Sequence, residues 1–420
     1  MAGGDTDSAG VKMTPMMVQY QAMRRELPDD VLLLFRLGDF YEMFFDDAKI
    51  ASPILNVALT KRNGMPMCGV PHHAAEGYLA KLIRAGKRVA LAEQTTEPQP
   101  GKIVERAISQ IISAGTIDDL NLLDSAKSNY LAAVFRSKGR YGLAYIEHTT
   151  GEFRLTEFGD RGALDDELAR LRPGELLYSE EQAEAFDLLP NAQRYDAYPF
   201  LIDQAEYVLK QHFKVQSLDG YGCAGFLPAI GAAGAILHYV ETQLRRSVSH
   251  LRTLQAYRTE NYVLIDASSQ ANLDLVSSRS GGVKASLLGA IDRTSTPMGA
   301  RKLRHWVLHP IRDLAALVAR QDMVESLIRE PFLLNTLRRD FSEVRDIERT
   351  ISRLSQGSGN ARDLKSLEMS LRKVPDVREH LAALEGGALG RELGQRLGDF
   401  STLVELLGKA IADEPPASLK

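Results

Sequence analysis

The stretch Val31 to Phe45, VLLLFRLGDFYEMFF, constrains this chain more than any other. Five apolar residues in a row, Val31 to Phe35, have the length and composition of a strand buried on both faces. Arg36, Gly38, Asp39 and Glu42 then break the run among aromatic residues, which predicts that the strand ends in an aromatic tip at the surface. A Phe-Tyr pair beside a glycine and two carboxylates is unusual there, because exposed apolar rings favour association. On residue type alone two readings stand: Phe40, Phe44 and Phe45 belong to the core, or the exposed ring has something to enter.

The pattern stays mixed up to about residue 120. Pro15 to Leu27 carries apolar residues at helical spacing and is closed by Pro28. Asp46-Asp47 is placed to cap a short helix to Leu55, Val57 to Thr60 is strand-like, and Asn63-Gly64 marks a turn. Ala75 to Ala85 is the clearest helix, with Gly86 at its C-terminal end. Strands are predicted at Val89 to Glu93 and Ile108 to Ser113, around a linker-like Pro98-Gln99-Pro100-Gly101. Lys61, Arg62, Lys81, Arg84, Lys87, Arg88, Lys102 and Arg106 make the segment locally basic, a pattern more often a solvated face than a site. His72-His73 follow Cys68 closely, but without further ligands at metal spacing they read as structural. Residues 1–14 have no apolar run and two aspartates, which predicts a disordered tail and argues against a signal peptide.

From about 125 to 255 a second domain is predicted. Leu131 to Phe135, Tyr141 to Glu147 and Glu152 to Phe158 read as antiparallel strands, followed by a helix over Leu164 to Leu171 and a strand at Glu175 to Tyr178. Gly220 to Gly225 matches G-x-G-x-x-G by letter. Polar residues precede it and no acidic residue follows at the fingerprint distance, so it reads as a turn before a helix from Phe226 to Leu244. From 258 to 420 the pattern is helical. Thr296-Pro297 starts one helix, and others are predicted at Leu314 to Arg329, Phe341 to Leu354, Asp363 to Leu371 and Phe400 to Ala412. The first, rich in Arg301, Lys302, Arg304 and His305, is open to a DNA-binding reading from charge alone and to one in which Leu303 and Trp306 pack and the charges are solvated, the reading that the family resemblance given below favours.

The charge balance names no partner. With 51 basic and 55 acidic residues the net charge is -4, so any phosphate contact must come from a local patch. Two cysteines, Cys68 and Cys223, exclude a disulfide framework and a four-cysteine zinc site, and fit a reducing compartment, read as the cytoplasm. The most apolar segment, Ala224 to Val240, contains Pro228 and is shorter than the roughly 20 residues that span a bilayer, so no membrane partner is predicted. No G-x-x-x-x-G-K-[ST] segment occurs, so no cofactor and no ATP hydrolysis are predicted for these residues.

GDFYEMF (Gly38 to Phe44) with LTKR (Leu59 to Arg62), and CGVPHHA (Cys68 to Ala74), resemble the mismatch-recognition domain of the MutS family of DNA mismatch repair proteins. TPMGARKLRHWVLHPIRD (Thr296 to Asp313), with Asp346-Ile347-Glu348-Arg349 and Arg353-Leu354, resembles the helical lever or core of that family. The resemblance implies that Phe40 is a wedge stacked against a mispaired base, that Glu42 hydrogen-bonds that base, and that Lys61-Arg62 contacts the DNA backbone. Wedging a ring into a base step costs on the order of a few kcal/mol, least where pairing is already defective.

The implied fold class is multi-domain, α/β then all-α. It comprises a mixed α/β mismatch-binding domain (15–120), a non-catalytic ribonuclease-H-like connector (125–255) and an incomplete helical core or lever (258–420). Mismatched duplex DNA is the implied partner. A homodimer, a MutL-like protein, and ATP with Mg2+ in a further C-terminal domain with weak ATPase activity are implied for the full-length bacterial family, and the chain is read as truncated and nucleoid-associated. Two alternatives stay open. One is a relative that clamps DNA without mismatch specificity, against which Phe40 and Glu42 count. The other is a metal-dependent nuclease on the ribonuclease-H-like domain, for which Leu131 to Phe135 offers no carboxylate and only Glu147 is suggestive.

Overall fold

The computed structural model describes residues 14–96, 104–117, 123–385 and 387–416. Residues 1–13 of the predicted tail, the linker at 98–101 and Lys102 lie outside the described residues. The chain divides into two units, residues 1–122 with 239–246, and residues 123–238 with 247–420.

The first unit runs α1 (Pro15–Arg25), β1 (Val31–Leu37), β2 (Phe40–Phe44), α2 (Phe45–Leu55), β3 (Thr60–Arg62), β4 (Met65–Pro71), α3 (Ala75–Arg84), β5 (Arg88–Gln94) and β6 (Arg106–Ile112). Its strands form one mixed sheet in the order β3-β4-β2-β1-β5-β6. β1 is central, paired antiparallel with β2 and parallel with β5, which is why Val31 to Phe35 is apolar without alternation. One face packs Leu32, Leu34, Tyr41 and Met43 against Ala51, Leu55, Leu79 and Leu82 of α2 and α3. Against the other face α1 sets Tyr20, whose ring meets Phe35 and Phe44 edge-on at 5.5 and 5.1 Å.

Two local expectations are corrected here. Asn63 (φ 51) and Gly64 (φ 82) form the turn that joins β3 to β4, both positive as a type I′ turn requires. That turn pairs Arg62 with Met65, so β3 begins only at Thr60 rather than spanning Val57 to Thr60. The N-cap of α2 is Phe44, not the aspartate pair. Asp47 is buried instead, accepting from Tyr20 Oη (3.0 Å), Leu33 N–H (3.1 Å) and Arg24 Nε (3.2 Å), and so ties α1, β1 and α2 together. Residues 239–246 belong to this unit through Ile111 N–H to Leu244 O (2.9 Å) and Arg88 Nη1 to Tyr239 Oη (3.3 Å).

The second unit begins with β7 (Leu131–Ser137), β8 (Arg140–Glu147), β9 (Glu152–Phe158), α4 (Arg161–Leu171), β10 (Glu175–Ser179), α5 (Ala183–Phe186), β11 (Ala192–Tyr195), α6 (Ile202–Phe213), α7 (Leu227–His238) and β12 (Gln255–Ala256). The sheet order is β11-β10-β7-β8-β9-β12, with β7, β8 and β9 antiparallel and β10 and β11 added parallel to β7. A Cβ on Gly142 of β8 would lie 2.1 Å from Pro228 C, and one on Gly234 of α7 would lie 2.4 Å from Ala205 Cα. β8, α7 and α6 therefore approach at backbone distance. Gly222 (φ +75) and Gly225 (φ +80) make the turn ahead of α7, in keeping with the turn reading of those glycines. The α-helical part ends at His238 and the chain continues as a π-helix over Tyr239–Gln243, one residue short of the predicted Leu244.

Beyond residue 256 the unit is helical: α8 (Ala267–Asn272), α9 (Leu287–Ile291), α10 (Pro297–Leu308), α11 (Leu314–Arg329), α12 (Pro331–Glu343), α13 (Ile347–Ser355), α14 (Ala361–Leu371), α15 (Val374–Ala383), α16 (Ala388–Arg396) and α17 (Ser401–Ala410). Thr296 caps α10 as predicted, accepting from Gly299 N–H at 2.9 Å with Pro297 at the first position. The helix expected over Phe341 to Leu354 is two, because the chain leaves helical geometry at Val344 and Asp346 caps α13 through Arg349 N–H (3.3 Å). The α10 charges are not all solvated. Arg301 is buried and forks onto Asp346 (2.6 and 2.9 Å) and Glu348 (2.6 Å), while Trp306 is exposed, with the Arg320 guanidinium 4.0 Å from its ring. The buried face of α10 runs through Ala300, Arg301 and Leu308, a stripe to which Trp306 does not belong. Among the described residues no helix is long and apolar enough to cross a membrane.

Candidate nucleic-acid interface

Leu37 and Phe40 face each other across β1 and β2, so Gly38 and Asp39 form a two-residue turn. Gly38 has φ +57, the first-position glycine of a type II′ turn. The turn makes Phe40 the first residue of β2, and strand alternation sets Phe40, Glu42 and Phe44 on one face with Tyr41 and Met43 on the other. α1 covers the Phe44 end of that face. Phe44 is wholly buried while Phe40, four residues away, is 48% exposed. Of the two readings that residue type left open, Phe44 is core and Phe40 is a surface ring.

Glu42 lies between them on the same face. Its Oε2 accepts from Arg62 Nη1 at 3.0 Å, with the two side chains 15% and 46% exposed. Opposite Glu42 in β4 stands Gly69, where a Cβ would come within 3.4 Å of Glu42 Cγ and 3.3 Å of Tyr41 O. The missing side chain gives the carboxylate its room. Sequence reasoning passed over Gly69, although a glycine inside a strand is itself a signal of close approach. Lys61 and Arg62 are both exposed on the edge strand β3, and alternation sends Lys61 away from the face that Arg62 shares with Glu42.

Several other basic residues of this unit are already engaged. Arg88 forks onto Asp30 at 2.8 Å on both arms. Arg106 donates to Arg36 O (2.7 Å) and stacks over Phe35 at 4.9 Å. His72 supports the turn, its N–H donating to Asp39 O (2.7 Å) and its ring lying 5.2 Å from that of Tyr41. The Cys68 thiol points at Ala48 O (3.6 Å) in the core, where burial pushes its pKa up to about 11. What remains at the surface is a ring on a tight hairpin beside a carboxylate whose charge an arginine offsets. Such a pair can stack on a π-face and hydrogen-bond a base edge.

Family models described as MutS domain I, MutS domain II and MutS domain III match residues 14–121, 129–252 and 268–420. The chain belongs to the MutS family. The DNA mismatch repair protein MutS of Protochlamydia amoebophila (strain UWE25) is 36% identical over an alignment covering 97% of this chain and 49% of that relative. The chain thus spans about half the length of the relative it matches. Phe40, Glu42, Lys61, Arg62 and Gly69 all lie within the MutS domain I match.

The MutS domain II match contains Glu147, the residue that suggested a nuclease. It is buried at the end of β8, accepting from Thr149 Oγ1 (3.1 Å), Thr150 Oγ1 (3.2 Å) and the wholly buried Arg349 (3.3 Å). Arg349 also donates to Lys127 O at 2.7 Å, and Ser352 of the same helix donates to His148 O at 3.1 Å. Glu147 therefore serves to dock α13 on the β8–β9 turn. A carboxylate whose oxygens already answer two hydroxyls and a guanidinium is poorly placed to hold a catalytic metal.

Proposed function

We propose that the chain binds mismatched base pairs in duplex DNA as the first step of DNA mismatch repair, with Phe40 as the wedge and Glu42 as the contact to the mispaired base. The observation that carries this reading is the exposure of Phe40 on a hairpin with a two-residue turn whose other phenylalanines, Phe35 and Phe44, are fully buried. An apolar ring presented at the surface by a tight turn is suited to enter a base step, and a defective pair yields that step most cheaply. Selectivity then follows from deformability and not from a base sequence. Lys61 and Arg62 are proposed to contact backbone phosphates, which set position without sequence information. The MutS domain I match and the mismatch repair relative support the reading.

The homodimer, the MutL-like partner, the cytoplasmic setting, and ATP with Mg2+ are proposals of the same standing, and no residue of this chain is assigned to them. The test is the affinity of the chain for a duplex with one mismatch against the matched duplex, before and after Phe40→Ala. A preference in the parent chain that Phe40→Ala abolishes supports the wedge. Equal affinities in the parent chain, or a preference that survives the substitution, overturn it.

A further inference from the structure

In the second unit a cavity of about 310 Å³ opens between the C-terminal end of α4 and α10. Among the described residues five cationic side chains line it, Lys127, Arg170, Arg172, Arg301 and Arg304, and no carboxylate does. Three of the five are answered from behind the wall: Arg170 by Glu167 (2.6 Å), Arg301 by Asp346 and Glu348 (2.6 Å each), and Lys127 by Asp124 (2.8 Å). Arg172 and Arg304 are not. Among the described residues neither has a carboxylate within ion-pair distance, and Arg172 spends only its Nε, on Ala169 O at 3.3 Å. Burial lowers the proton affinity of Arg304, the Arg172 charge lowers it further, and Asp124 and Tyr130 offset only part of this. Arg172 is exposed and Arg304 half-buried, and a like charge beside a half-buried guanidinium is costly unless an anion joins the two.

The shape of the donors narrows the anion. Each guanidinium presents a planar fork that matches two oxygens of one phosphate, so two adjacent forks suit two linked phosphates. Ser128 and Ser277 add hydroxyl donors at the wall, and His305, held neutral by burial with a pKa of about 3, adds hydrogen-bonding capacity without further charge. The volume lies at the lower end of the range for small-molecule sites, more than a single phosphate needs.

We propose that this cavity binds a compact diphosphate, either inorganic pyrophosphate or the diphosphate of a nucleotide, gripped between Arg172 and Arg304. The site is independent of the Phe40 hairpin and of the function proposed for it.

Isothermal titration of the full 420-residue chain with sodium pyrophosphate, and separately with ADP without Mg2+, tests this at fixed ionic strength with sulfate as control. We expect saturable 1:1 binding of pyrophosphate or ADP but not sulfate, weakened tenfold or more by Arg304→Gln and by Arg172→Gln, and retained by Lys81→Gln on an exposed face. ADP binding tighter than pyrophosphate identifies the nucleotide source, and equal or weaker binding identifies the bare diphosphate. Should Arg304→Gln fail to fold, Arg304→Lys, which keeps the charge and loses the fork, decides by weaker affinity. The absence of saturable binding at millimolar ligand, or affinities unchanged in these variants, overturns the proposal. So does duplex DNA that displaces pyrophosphate and loses its own binding in the same variants, which would assign the cavity to nucleic acid.

Discussion

Arg62 in β3 reaches past β4 to place its guanidinium 3.0 Å from the carboxylate of Glu42 in β2, beside Gly69, which offers no side chain of its own. The pair neutralises the carboxylate that shares a strand face with the exposed Phe40. A bare carboxylate facing DNA is repelled by phosphates, so under the proposed function this ion pair is expected to set how strongly the hairpin binds a duplex.

Removing Arg62 uncovers that charge. Arg62→Ala is expected to weaken binding to matched and mismatched duplex alike, and Glu42→Ala to strengthen matched-duplex binding while narrowing discrimination. The double variant should recover most of the matched-duplex affinity lost in Arg62→Ala. Stability should move by no more than about 1 kcal/mol in each case, because an ion pair with a half-exposed partner contributes little. Affinities in a double-mutant cycle check this, and strictly additive effects would leave the coupling without support.

Phe40 and Phe44 should part company. Phe44→Ala is expected to cost about 3–5 kcal/mol, since the ring is fully buried against Tyr20. Phe40→Ala should change the melting temperature little while removing the preference for mismatched duplex. Thermal melts of the two variants decide it; a Phe40→Ala loss as large as that of Phe44→Ala would mean a core ring.

Glu147→Ala should destabilise the second unit by about 3–5 kcal/mol, because it removes the nearer of the two carboxylates facing the wholly buried Arg349 and leaves only Asp346, at 3.9 Å. Replacing both partners by apolar residues, Glu147→Leu with Arg349→Met, is expected to restore most of the loss. Chemical denaturation measures both, and a double variant no more stable than Glu147→Ala would show that the pair acts through more than charge.

Stability should fall with acidification through His305. Burial first, then the charge of His309, holds His305 at a pKa of about 3 against 6.5 in the unfolded chain. Between those values the unfolded chain binds a proton that the folded chain does not. The His305 contribution is therefore intact above about pH 6.5 and is lost as pH falls toward 3, with a slope of up to about 1.4 kcal/mol per unit. Denaturation series at pH 5 and pH 7 should show a smaller difference in His305→Gln than in the parent chain. An equal difference in the two would remove His305 from the pH dependence.

Much of the architecture was legible because its signals are local. The uninterrupted apolar run at Val31 to Phe35 announces a central strand, Asn63-Gly64 supplies the positive φ angles of the β3–β4 hairpin, and Thr296-Pro297 starts α10 where the cap and the fixed proline φ allow. The misplaced elements failed for local reasons too. The apolar spacing of Phe341 to Leu354 runs through Val344, and Asp46-Asp47 has the letters of a cap while Asp47 serves three groups brought in by other elements.

The sequence by itself determined which residues could form the hairpin: the glycine that permits the turn, the period-two alternation that separates Phe40 from Tyr41, and the motif that suggested the family. Only the tertiary structure decided which of its aromatic rings is covered and which polar groups meet. Arg62 and Glu42 are 20 positions apart, Arg349 and Glu147 are 202, and Arg301 and Asp346 are 45. Helical and strand periods carry no information across such distances. Whether an arginine lies in water or answers a buried carboxylate depends on which elements pack together, and that is settled by the burial of the apolar faces as a whole.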